Sequence, residues 1–280
     1  MTDAAPVQSG SEEQLEREQR AIGPVDKPTA WQHQYRVLKA IVLRDLVARY
    51  AEYRLGFLLS IIMPLITIGV IMLAFGMRSR AVPADFSMPV FLATGFPLWL
   101  AFIGTYGRVV SAASKSDALM MFPQITQLDV IIASVILEFA INTAVFTVLV
   151  LLVSVFARSV PRDPAGVMLL FWSCTWLGAV FGLIMCSIGR LFPLVINILN
   201  TFLRFGMWVS GVVFMVDKMP VWSWKYLAWN PILHAVEGTR QQWSQTYQSP
   251  IFSPGFLLGF GCFLTIVGML MERASRRFVH

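Results

Sequence analysis

Six stretches of the chain are each long and apolar enough to cross a bilayer: residues 55–77, 88–107, 128–157, 166–188, 194–216 and 252–271. A spanning helix needs about 20 mostly apolar residues. Inside a bilayer every backbone polar group must bond within its own segment, so the runs read as α-helices. The third is long enough to tilt or to project beyond the lipid. Pro64 in the first run and Pro97 in the second predict kinks. The balance agrees: 56% of the 280 residues are hydrophobic, 14% are charged and the mean hydropathy is +0.66. A soluble domain carries about 25% charged residues.

Six spans put both termini on one side. That side holds fourteen Lys and Arg residues, among them Arg36, Lys39, Arg44, Arg108, Lys115 and Arg190. The other side holds seven, including Arg158, Arg162, Lys218 and Arg240, and Arg204 lies within a span. Basic loops stay in the cytoplasm, so the termini are expected there. The net charge of +6 is accounted for by these loops, and nucleic acid is not an expected partner.

Two segments are neither spans nor plain loops. Residues 31–54 predict an amphipathic helix lying along the cytoplasmic membrane surface. Tyr35, Leu38, Val42, Leu46, Tyr50 and Tyr53 recur at spacings of three and four, with Arg36, Lys39, Arg44 and Arg49 between them. Residues 217–250, on the outer side, carry Trp222, Trp224, Tyr226, Trp229, Trp243 and Tyr247, broken at Asn230-Pro231. Such residues favour the membrane–water boundary, so this segment predicts two short re-entrant helices in the outer leaflet. Residues 1–30 are polar, lack an apolar signal core, and predict a disordered cytoplasmic tail. The fold class expected is thus an all-α integral membrane protein of six transmembrane helices, residues 55–280, preceded by an interfacial helix.

Catalytic patterns do not emerge. The chain has no phosphate-binding G-x-x-x-x-G-K-[ST] loop, no G-x-S-x-G elbow and no H-E-x-x-H pair. Cys174, Cys186 and Cys262 all fall in apolar runs and have no metal-ligand spacing. His234 and Glu237 stand three residues apart, a spacing more common in surface hydrogen bonds than in active sites. No metal or cofactor is expected in this chain, and work done by it would draw energy from elsewhere.

Polar residues inside spans are costly and so informative. Asn197, Asn200, Arg204, Trp208 and Gly211 share one helical face of the fifth run, and Ser134, Glu138 and Asn142 share one of the third. Counted from the cytoplasmic ends, Glu138 and Arg204 lie at similar depths, about 15 Å in. Two readings compete: an intramembrane ion pair between them, or a polar pathway on which Arg204 attracts an anion and Trp208 offers a stacking surface. Gly178–Gly182 and Gly255–Gly259 both read G-x-x-x-G and are expected to be helix-packing sites. The loop 111–124, VSAASKSDALMMFPQ from Val110 onward, runs from polar to apolar and stops at Pro123. Ser114 or Ser116 can cap a short helix there, with Ala118, Leu119, Met121 and Phe122 at its apolar end. Exposed apolar ends mark contacts, so a cytoplasmic partner is expected to grip it.

At this point the chain resembles a known family: the membrane subunits of type-2 ATP-binding-cassette exporters, and among them the capsular polysaccharide export permeases. The likeness covers residues 31–273. Arg49-Tyr50 with Tyr53-Arg54-Leu55-Gly56-Phe57, Pro64, Pro89-Val90-Phe91-Leu92, Asp129 through Glu138, and Trp229-Asn230-Pro231 with His234 and Glu237 carry it by their order and spacing. Leu59 and Met63 stand where many members have a Trp and an acidic residue, so no role tied to those side chains transfers.

The resemblance implies a homodimer with two copies of a separate ATPase that binds ATP and Mg. The cargo would be a long, often anionic, lipid-anchored glycan, passed on to periplasmic and outer-membrane export proteins from a bacterial inner membrane. Asn197, Asn200, Arg204 and Trp208, with Trp172 and Trp176, would line the pathway. Trp222, Trp224, Trp229 and Trp243 would gate its periplasmic end. Ser114, Lys115, Asp117, Leu119, Met121 and Phe122 would contact the ATPase as a coupling helix. Export of a lipid-linked O-antigen or teichoic acid is the neighbouring alternative. A membrane-embedded transferase would need a clustered active site, and an ion-coupled transporter would need inverted repeats.

Overall fold

The structure, a computed structural model, describes residues 30–50, 56–76, 86–115 and 126–278. All regular structure among them is helical. The helices are α1 (Ala30–Tyr50), α2 (Gly56–Gly76), α3 (Met88–Ala93), α4 (Phe96–Lys115), α5 (Gln127–Phe156), α6 (Pro164–Leu191), α7 (Pro193–Val209), α8 (Val221–Leu227), α9 (Pro231–Trp243) and α10 (Pro254–Phe278). Four continuous or near-continuous stretches are long and apolar enough to span: Met88–Ala113, Gln127–Phe156, Pro164–Arg190 and Pro254–Ser275. The first run also folds as one helix, α2, which Pro64 does not interrupt.

Local chemistry sets the boundaries. Thr126 and Asp129 form a reciprocal capping box that starts α5. Asp163 accepts from the Gly166 N–H at 3.0 Å and Pro164 takes the first position of α6, where its missing donor costs nothing. α6 passes to α7 through the single residue Phe192, again with a proline next. The second run is divided, but at Thr94-Gly95, just ahead of Pro97. The break lets Gly95 approach the Val212 carbonyl: a Cβ there would sit 3.0 Å from that oxygen.

The fifth run departs from expectation. It was expected to span 194–216, yet α7 ends at Val209 after 17 residues, roughly 26 Å of rise. Gly211 takes φ +70, a left-handed conformation that ends a helix. Gly211 therefore does not share a helical face with Asn200 and Trp208. In α1, Ile41 is buried, Leu38 and Val42 of the expected stripe are half-buried, and Tyr35 and Leu46 are exposed.

The core lies where α4 crosses α6. Gly178 and Gly182 open the crossing: a Cβ on Gly178 would collide with the Phe102 carbonyl, and one on Gly182 would meet the Val109 Cβ at 2.7 Å. Phe146 of α5 stacks on Phe171 of α6 with centroids 4.0 Å apart. On α10, Gly255 and Gly259 face open space instead, and Gly261 and Gly268 make the contacts with α6. Gly178→Leu is expected to lower the melting midpoint of the detergent-solubilised protein, an overpacking cost of about 1–3 kcal/mol. Gly255→Leu should leave it unchanged; equal midpoints for the two variants would refute the assignment.

Candidate functional site

Two polar assemblies stand out in an otherwise apolar molecule. The first is built on α9, every residue of whose first ten is buried. Asn230 caps the helix by accepting from the Ile232 N–H at 3.0 Å, and its amide donates to Val209 O and Ser210 Oγ at the end of α7. Glu237 and Arg240 form a fully buried ion pair, Nη1 to Oε1 at 2.9 Å. Arg240 also donates to the Phe214 carbonyl at 2.8 Å and the Val212 carbonyl at 3.3 Å, and lies 4.3 Å from the centre of the Phe91 ring. These are carbonyls released where α7 stops. The Tyr247 hydroxyl donates to the other Glu237 oxygen. Burial first, and the Glu237 carboxylate second, push the Tyr247 phenol up, so it stays a donor.

His234 has no part in that pair. Its Nδ1 accepts from the Ser253 N–H at 3.1 Å and its Nε2 faces the Ala228 carbonyl at 2.8 Å, which defines a neutral ring donating from Nε2. Burial holds its pKa below the usual value. Around this core, the α5–α6 turn is tied to α9: Arg162 and Asp163 donate their backbone N–H groups to Trp243 and Gln242 carbonyls, and the Trp243 indole donates to Ser159 at 3.0 Å.

The second assembly lies between α4 and α5. Arg108 Nε donates to Glu138 Oε1 at 3.2 Å, and Asn142 donates to the Thr105 hydroxyl at 3.2 Å. Sequence position assigned Arg108 to a cytoplasmic loop; α4 in fact continues through it to Lys115. The side chain of Arg204, the other suggested partner of Glu138, lies outside the described residues, as does that of Asn197.

The remaining expected site residues are distributed unevenly. Asn200 accepts from the Tyr106 hydroxyl of α4. Trp208 is 58% exposed on α7, on a surface that also carries Ile198, Phe202 and Phe205. Trp172 donates to Thr143 of α5 at 2.9 Å, and Trp176 packs over Gly261 of α10. Trp222 and Trp229 are exposed, while Trp224 donates to Val216 and Met219 carbonyls and Trp243 is buried. Ser114 and Lys115 end α4, with side chains outside the described residues; Asp117, Leu119, Met121 and Phe122 lie outside them altogether. Arg240 and Tyr247 went unrecognised as site residues. The Glu237–Arg240 spacing of three was the available signal, but spacing alone does not reveal burial.

Known proteins place this architecture. The family model described as ABC-2 type transporter matches residues 36–243. The chain belongs to the ABC-2 type transporter membrane family. Among curated relatives of this ABC-2 protein is the polysialic acid transport protein KpsM of Escherichia coli, 29% identical over 237 residues, 84% of this chain and 92% of that one. Another is the capsule polysaccharide export inner-membrane protein BexB of Haemophilus influenzae, 24% identical over 241 residues, 86% and 91% of the two chains. The capsule polysaccharide export inner-membrane protein CtrC of Neisseria meningitidis serogroup B is 25% identical over 239 residues, 85% and 90% of the two. The family is one of transporter permease subunits, and BexB and CtrC are inner-membrane proteins.

The buried pair supplies a prediction for this ABC-2 subunit. Arg240→Met leaves a charge without its partner and two carbonyls without a donor, at a cost of about 3–5 kcal/mol. The double variant Glu237→Gln/Arg240→Met should recover part of that loss in a thermal melt. A double variant no more stable than Arg240→Met would show that the pairing is not what matters.

Proposed function

We propose that this chain is the membrane half of an ATP-driven exporter that carries capsular polysaccharide out of the cytoplasm. The observation that carries this reading is the likeness to capsule and polysialic acid export proteins over 89–92% of their length. In this reading six helices cross the inner membrane, α2 and the short α7 included, with both termini cytoplasmic. Residues 1–30 form a cytoplasmic tail, α1 lies on the membrane surface, and α8 and α9 re-enter the outer leaflet.

Two copies of the chain assemble with two copies of an ABC ATPase, which binds ATP and Mg. Periplasmic and outer-membrane export proteins receive the glycan. The coupling segment, residues 111–124, sits in a groove of the ATPase and passes on its closure. The pathway follows α7. Arg204 attracts an anionic, lipid-anchored chain and Trp208 offers an aromatic face to sugar rings. Asn197 and Asn200 lie along the same helix, with Trp172 and Trp176 further out. The exposed rings of Trp222 and Trp229 form the outer gate, held in place by Trp224 and Trp243. Supporting this division, the apolar surface of α7 is uncovered within one protomer, as expected of a face completed by a second copy or by substrate.

Replacing Leu119 or Phe122 by Glu should uncouple the ATPase from export. Surface glycan is expected to fall about tenfold or more, the effect of losing roughly 1.4 kcal/mol of coupling, while ATP hydrolysis by the assembled complex persists. Arg204→Ala should reduce export of an anionic glycan without disturbing assembly. Normal surface capsule in both variants would count against this reading.

A further inference from the structure

The Arg108–Glu138 pair sits at the junction of two cavities that the export reading leaves unused. The first is polar. It is lined by Arg44 and Asp45 of α1, by Arg108 and Ser111 of α4, and by Ser134 and Glu138 of α5. The second shares Arg108 and Glu138 but is otherwise mostly apolar, walled by Met63 and Ile68 of α2, Leu100 of α4, and Ile141 and Val145 of α5. Together they form one notch with a charged head and a greasy tail.

The charges in the head come as two pairs of opposite sign. Arg44 donates through Nε and Nη2 to Asp45 Oδ1 at 3.2 and 2.6 Å, and Arg108 donates to Glu138 at 3.2 Å. Their formal sum is zero, and the accessible members are Arg108, Arg44 and Asp45, with side chains 55%, 45% and 24% exposed, while Glu138 is 9% exposed behind Arg108. Arg108 and Glu138 belong to helices apolar enough to span. Charge in a span is costly and is favoured where polar groups meet it, and a lipid headgroup would add such groups here while its acyl chain lies on the apolar wall beyond. A purely anionic head would meet Asp45 and Glu138 together with the arginines. A head bearing both phosphate and ammonium satisfies the two signs at once.

α5 has 30 residues, about 45 Å of rise against a hydrocarbon core of about 30 Å, and with that surplus on its N-terminal side Glu138, about 15 Å along the helix, stands at headgroup level. Arg44 lies on α1, the helix whose sequence marks it for the cytoplasmic membrane surface. Gly104 lines the tail region, and a Cβ there would meet nothing within 4 Å, so the space beside it is open.

We propose that this notch binds one molecule of a zwitterionic phospholipid of the ethanolamine type, its phosphate on Arg44 and Arg108, its ammonium on Asp45 and Glu138, and one acyl chain between α2, α4 and α5. The site does not depend on which glycan is exported, because the occupant is a bulk membrane lipid and not the cargo.

The test uses the full-length protein from a host that makes no capsule, so that no lipid-anchored glycan is present. Extracted in mild detergent and examined by native mass spectrometry, it should retain phosphatidylethanolamine in preference to phosphatidylglycerol. Gly104→Phe fills the tail region without touching a charge, and should cut retention about tenfold, a loss of roughly 1.4 kcal/mol. The double variant Arg108→Gln/Glu138→Gln removes one pair without stranding a charge, and should retain the two lipids alike. Circular dichroism and the melting midpoint confirm that each variant is folded, and Gly104→Leu serves if Gly104→Phe is not. Three results would overturn the proposal: no retained phospholipid, preference for phosphatidylglycerol, or undiminished retention in the folded Gly104 variants. Retention only in a capsule-producing host would assign the notch to the cargo's anchor and likewise overturn it.

Discussion

The packing around α9 depends on one guanidinium. Helices suit a membrane because they satisfy their own backbone, and the price is that any early stop releases carbonyls. α7 stops early, at Val209. Arg240, wholly buried, supplies donors to Val212 and Phe214, and Glu237 neutralises it. A buried charge is expensive by itself, and it persists here because it is paired, bonded to backbone and covered by the Phe91 ring. Tyr247 closes the arrangement by donating to the remaining Glu237 oxygen. The left-handed Gly211, the break at Gly95 and the burial of α9 all follow from bringing these groups together.

The crossing of α4 and α6 depends on closeness instead. Without a strong hydrophobic drive between helices in lipid, van der Waals packing must hold them, and small residues let it act at short range. Gly178 and Gly182 bring the α6 backbone onto α4. That approach sets the position of Tyr106, which reaches Asn200 of α7, and of Thr105, which receives Asn142 of α5. Polar residues within the spans thus serve first to fix the angles between helices.

Much of this was legible because apolar length and period are properties of the chain alone. The described spans lie within a few residues of the runs that predict them, and the Asn230-Pro231 break is the start of α9. The Gly178–Gly182 contact was equally readable. What could not be read was the partner. Two G-x-x-x-G motifs look alike on paper, yet Gly255 and Gly259 face open space, because only the neighbouring helix decides whether a small residue is needed. Depth left Glu138 open to an ion pair with Arg204 or to a polar pathway, and the described contact is with Arg108, a residue assigned to a loop because span ends are uncertain by a few positions. Arg240 was counted as an outer-loop charge for the same reason: composition shows that a residue is basic, not that it is enclosed.

The backbone ties between the α5–α6 turn and the end of α9 have a mechanical consequence. Arg162 and Asp163 bond to carbonyls of Trp243 and Gln242, so α6 and α9 are riveted at their outer ends, and tilting one drags the other. α8 is anchored differently, through Trp224 to carbonyls of its own preceding loop. α8 is also held from α9, whose His234 donates to the Ala228 carbonyl at the α8 C-cap, so a force applied to α6 passes to α9 through backbone bonds and on to α8 through a single imidazole.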